Sequence, residues 1–171
     1  MKKTLFLMLI ASSTAFSQKK KKKKNEVDKF TGEKIVVTDY VNINKKFTSR
    51  HFFSHSLIKD KDGYGLVLKL TGGGQSLFIG KGSKCILLLS NDEQVTLLAE
   101  DSFRTDFKII AGQTVSSINP VYLVDESFLT KIAEIGINAI RMETSERVYD
   151  SDFTEKDNKN LAKNINCIIK E

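Results

Sequence analysis

The chain has 171 residues, 27 Lys and Arg against 21 Asp and Glu, and 40% hydrophobic residues, a length and composition for one domain with a sizeable core. The formal charge of +6 is local: Lys2, Lys3 and the run Lys19–Lys24 supply eight positive charges, which leaves −2 on the rest. A nucleic-acid-binding domain carries its basic stripe on the fold, so this balance argues against nucleic acid as a partner.

The first residues read as a secretory signal. Met1-Lys2-Lys3 is a basic start, Leu5 to Ala11 an apolar run, and Ala15-Phe16-Ser17 a small-residue site, with cleavage expected before Gln18. The apolar run is too short to span a bilayer, which takes roughly 20 residues. The expectation is a periplasmic or secreted bacterial protein with no transmembrane segment after cleavage and a signal at 1–17. The lysines at 19–24 oppose translocation, so an uncleaved, weakly anchored form is the alternative. Lys19, Lys20, Lys21, Lys22, Lys23 and Lys24 read as a solvated low-complexity tail, or as a contact for an anionic lipid or polymer surface. Residues 18–33 together form a disordered Lys-rich lead-in, and 34–171 a single domain.

Within that domain, Ile35 to Val41 is β-branched and reads as a strand. Lys46 to Ile58 alternates, with His51, Phe53, His55 and Leu57 on one side. Lys59 to Gly63 is a turn, and Tyr64 to Leu70 a return strand with Tyr64, Leu66, Leu68 and Leu70 on one face. Thr71 to Gln75 is expected to be a flexible connection. Short strands follow over Ser76 to Ile79, Ser83 to Leu89 and Gln94 to Ala99, separated by Gly80-Lys81-Gly82 and Ser90 to Glu93. Phe107 to Ala111 and Thr114 to Val124 flank Gly112-Gln113.

The period then changes. Asp125 caps a helix from Glu126 to Ile135 that stops at Gly136. Asn138 to Thr144 is a strand, and Thr154-x-x-Asp157 is a capping box for a last helix with Leu161, Ala162, Ile165, Ile168 and Ile169 on one stripe. The fold class is therefore α+β: an antiparallel β-sheet of about seven strands, meander-like, with C-terminal helices.

Candidate chemistry is sparse. His51 and His55 share a side and are the weak metal candidates, but a zincin would need Glu where Phe52 stands. Cys85 and Cys167 can form a disulfide in an oxidising compartment, closing a loop of about 80 residues that is worth roughly 4 kcal/mol on the chain-entropy model. They can equally be two buried thiols. Gly72-Gly73-Gly74 and Gly80-Lys81-Gly82 fail the Walker spacing at Gln75 and Gly82. Asp125 with Glu126 reads as helix capping, and Asp150 with Asp152 is not assignable as a catalytic pair from spacing. No serine sits in a G-x-S-x-G elbow. Arg141 reads as a surface residue beside Glu143 and Glu146, or as the partner of a buried carboxylate. No cofactor and no catalytic residue is predicted.

The stretch Asp28-Lys29-Phe30-Thr31-Gly32, the signal, the hairpin-rich body and the late strand Ile137 to Met142 resemble a group of small exported bacterial proteins of unknown function. The resemblance implies export and one domain, and brings no activity. The preferred function is a non-catalytic envelope or secreted module that binds a macromolecule, with an envelope protein as the candidate partner, or plays a structural part. One alternative is an inhibitor of a secreted hydrolase acting through Gly72 to Gln75. The other is a hydrolytic enzyme with a pocket built around His51 or His55 and a carboxylate.

Overall fold

A computed structural model describes residues 24–27, 34–44 and 51–170. The signal segment, Lys19–Lys23 and the Asp28–Gly32 motif lie outside the described residues. In chain order the elements are β1 (Lys24–Val27), β2 (Lys34–Val37), β3 (Val41–Ile43), β4 (Phe52–Lys59), β5 (Tyr64–Gly73), β6 (Phe78–Ile79), β7 (Lys84–Leu89) and β8 (Gln94–Leu98). They continue with β9 (Phe103–Arg104), β10 (Asp106–Ile110), β11 (Gln113–Ile118), β12 (Val121–Val124), α1 (Glu126–Ile135), β13 (Ile137–Glu143), β14 (Val148–Asp152) and α2 (Glu155–Ile169).

The strands are antiparallel and form a large sheet, a smaller one and a two-stranded ribbon. The large sheet runs β1-β2-β4-β5-β11-β10, with β3 also pairing β4 and β12 also pairing β5. The smaller runs β14-β13-β7-β8, and β6 pairs β9. The mostly antiparallel sheet and the two helices match the expectation. The meander holds only in part: β4-β5, β7-β8, β10-β11 and β13-β14 are sequential hairpins, but β13 inserts beside β7, far away in sequence, and β11 and β12 share the same edge of β5. That sharing follows from Asn119-Pro120, since proline donates no backbone hydrogen bond to a ladder. Pro120 instead offers its carbonyl to Leu68 N at 3.1 Å.

Two further differences bear on function. Lys24–Val27 pairs with β2, Lys24 opposite Val37, so the sheet takes in part of the segment read as a disordered lead-in. Gly72 and Gly73 belong to β5, opposite Ser116 and Val115, and are not a loose connection. Glycine is needed at 72 because a Cβ there would lie 2.4 Å from His51 Cδ2.

One core joins the layers. Phe53, Leu57, Leu66, Leu68, Leu70, Ile118 and Tyr122 cover one face of the large sheet. Cys85, Leu87, Leu89, Ile140 and Met142 of the smaller sheet meet them, together with Leu129 and Ile132 of α1 and Leu161, Ile165 and Ile168 of α2. The helices pack on each other, and α2 lies on β3 and β4. The opposite face of the large sheet is free of helices among the described residues and carries an open trough.

Candidate functional site

The two histidines part company. A strand rises about 3.3 Å per residue, so His51 and His55 stand roughly 13 Å apart along β4, side by side rather than converging on one ion. His55 is 1% exposed, between the cross-strand partners Val41 and Leu68. His51 lies at the rim, its ring centroid 5.3 Å from that of Tyr149. Among the described residues no three His, Cys, Asp or Glu side chains are placed to hold a metal ion.

Around His51 a polar cluster ties three distant segments together. Arg147 Nη2 sits 3.4 Å from His51 Nε2 and donates to Gln75 Oε1 at 3.1 Å. Tyr149 Oη donates to the same Gln75 oxygen at 3.3 Å, and the Arg147 guanidinium stacks 4.7 Å from the Tyr149 ring centroid. Gln75 is thus tied by its side chain to Arg147 and Tyr149, while Gly73 to Ser76 stay exposed.

A cavity of about 200 Å³ lies beside this cluster, lined in part by His51, Tyr149, Asp150, Ser151 and Asp152. This is the pocket a hydrolytic reading would need, and in it Asp150 and His51 already have partners. Both Asp150 oxygens accept from Arg141, at 2.9 Å each, which also holds the Asp150 carboxyl below its ordinary range. His51 Nε2, the nitrogen a general base would use, faces Arg147. Arg141 therefore pairs with Asp150 on the neighbouring strand rather than with Glu143 or Glu146. The pair is exposed on both sides, where such bridges contribute about 1 kcal/mol or less.

Cys85 and Cys167 are both thiols in the structure, the first buried in β7 and the second half-buried on α2. Cys85 faces the core, and burial pushes its pKa up to about 12 against an ordinary 9.0. The buried Tyr122 hydroxyl has no nitrogen or oxygen partner among the described residues and sits beside this thiol, a weak hydrogen-bonding group. The folded state thus keeps a proton that an unfolded thiol releases near pH 9. The resulting stabilisation is complete below pH 9 and is lost as pH rises toward 12. Cys85→Ala is expected to narrow the drop in urea midpoint between pH 8 and pH 10. An unchanged drop would place the alkaline sensitivity elsewhere.

Two surfaces remain without an obvious structural task. The first is the strand β10 at the edge of the large sheet, where all five residues are exposed. Phe107 is 51% exposed, Ile109 80% and Ile110 58%. The second is a trough of about 310 Å³ on the sheet face opposite the core, lined by β3, β4, β5, β10 and β11. Sequence reading missed both. Asp106-Phe107-Lys108-Ile109-Ile110 reads as an ordinary strand, and nothing in it shows that it lies at an edge with both faces in solvent.

No protein-family model matches the chain, and no curated protein or solved structure does either.

Proposed function

We propose that the protein is an exported, non-catalytic module that works by binding another protein, and that β10 is the element it presents. The carrying observation is the exposure of Phe107, Ile109 and Ile110 on an edge strand. An open edge offers unpaired backbone donors and acceptors, and natural sheets normally cover such an edge or blunt it with charge. Here only Asp106 and Lys108 interrupt the apolar surface. The occupant that fits is an extended segment of an envelope protein, added as a further strand along β10. Its apolar side chains would cover Phe107 and Ile109, and an acidic side chain would meet Lys108 on the other face. Export rests on the N-terminal signal pattern, and the lysines at 19–23 offer an accessory contact with an anionic surface.

The test places a photo-crosslinking amino acid at Ile109 and, as a control, at the exposed Glu134 of α1, in the native envelope. The expected result is one protein adduct from position 109 that is absent from position 134. That partner, once purified, should slow amide exchange across β10, and replacing Lys19 to Lys23 by serine should leave the adduct in place. The same adducts from both positions, or no protection of β10, would overturn the proposal. Adducts of the chain with itself alone would do so too, and would assign the edge to a second copy.

A further inference from the structure

The trough on the open face of the large sheet has the chemistry of a ligand site. Pairing across the strands sets its layout. Asn42 of β3 lies opposite Ser54 of β4, and Ser54 opposite Lys69 of β5. Phe52 lies opposite Thr71, and Thr71 opposite Ser117 of β11. Val115 lies opposite Lys108 of β10. With period-two alternation, all these side chains leave the sheet on the same side.

The lining separates into a polar and an apolar part. Lys69 and Lys108 bring two ammonium groups, and Thr71 and Ser117 bring hydroxyls from the strands between them. Phe52, Ile110 and Val115 bring apolar walls. No carboxylate lines the cavity, and neither lysine has a carboxylate partner among the described residues. Lys69 is half-buried, and its ammonium instead sits 5.2 Å from the centroid of the Tyr40 ring. An ammonium that has given up part of its hydration for an aromatic face still lacks a counter-charge, which an anion would supply. The volume lies near the lower end of small-ligand sites, roughly 300–1,000 Å³.

We infer that this trough binds a small amphiphilic anion, with a carboxylate or phosphate head between Lys69 and Lys108 and an apolar body on Phe52, Ile110 and Val115. Thr71 and Ser117 donate hydroxyl hydrogen bonds to the head. Asp106, opposite Ser117 on the same face, stands at the outer end and sets the limit of the anion-favouring region. This site goes beyond the strand-edge reading: it uses the Lys108 and Ile110 face of β10, and it survives if no protein partner docks on the edge.

The experiment is titration of the purified protein, by calorimetry and by backbone amide shifts, with decanoate, decyl phosphate, decanol and inorganic phosphate. Decanoate and decyl phosphate are expected to bind, shifting amides of β4, β5 and β11. Decanol and inorganic phosphate should each bind at least about tenfold more weakly, since each lacks one half of the interaction. Lys69→Met and Lys108→Met should each weaken decanoate by about tenfold, and Asp106→Asn should tighten it. Matching thermal melts for the lysine variants confirm that they fold. Anionic and zwitterionic vesicles separate a free amphiphile from a membrane surface. Binding only to anionic vesicles, equal binding of decanol, or lysine variants that match the parent would each overturn the assignment.

Discussion

Replacing Asp157 with alanine is expected to lower the unfolding free energy by about 2–4 kcal/mol, far more than a surface capping residue would. Asp157 is 6% exposed and does more than close the first turn of α2. Its Oδ2 accepts from Thr154 N at 2.9 Å and from Thr154 Oγ1 at 2.6 Å, which with the bond from Asp157 N to Thr154 Oγ1 completes the capping box. The same oxygen accepts from Asn44 N at 3.1 Å. Asn44 follows β3 directly and has a φ of 39°, so the carboxylate also anchors a strained exit from the sheet. Alanine removes the three bonds to Oδ2 at once, two from Thr154 and one from the half-buried Asn44, and leaves those donors without that partner. Thr154→Ala removes only the hydroxyl and should cost about 1 kcal/mol. Urea unfolding followed by circular dichroism checks both. A cost for Asp157→Ala no larger than that for Thr154→Ala would show that the bond to Asn44 contributes nothing.

The helices were legible because their signals are local. Asp125 accepts from Phe128 N at 2.6 Å and Thr154 closes its box with Asp157, as the spacing predicts. The stop at Gly136 follows from its φ of 84°, a conformation that glycine adopts readily. The hairpin turns at Asp60 to Gly63 and Ser90 to Glu93 were legible for the same reason, and the one expected at Gly112-Gln113 lies one residue earlier, at Ala111-Gly112. Strand β14 was not. Val148-Tyr149-Asp150-Ser151-Asp152 has too few apolar residues to announce a strand, and it forms because β13 lies beside it as a template. The strand expected over Ile35 to Val41 breaks at Thr38, whose hydroxyl accepts from Leu57 N at 2.9 Å while its carbonyl accepts from Ser56 Oγ at 2.7 Å. That competition is a tertiary event, invisible in the local pattern.

Of the candidate sites, the sequence showed the residue types and not their company. His51 and His55 share a side of β4 as expected, yet one meets Arg147 and Tyr149, 96 and 98 positions away in the chain, and the other the core. Lys69 and Lys108 look like ordinary solvated strand lysines until β11 places their strands on one curved face. The open edge at β10 is a property of strand order, since the residues of β7, equally apolar, are covered on both sides by β8 and β13.

That contrast yields the second large effect. Leu87→Ala is expected to cost about 3–5 kcal/mol, and Leu88→Ala, one residue along, about 1 kcal/mol. The run Cys85-Ile86-Leu87-Leu88-Leu89 is apolar throughout, so alternation in the sequence cannot say which side faces the core. The structure can. Leu87 is fully buried, opposite Ile140 on one side and Val95 on the other, within the core shared by both sheets and both helices. Leu88 points to the outer face, where it is half-buried and lines a shallow cavity with Ile86 and Ala139. Truncating Leu87 leaves a hole that rigid neighbours from two strands cannot close, whereas truncating Leu88 only exposes surface that already meets water. Chemical denaturation of the two variants reads the difference directly. Because a one-residue slip exchanges the faces of a strand, equal costs, or a larger cost at Leu88, would mean that β7 pairs with β8 and β13 in a different register.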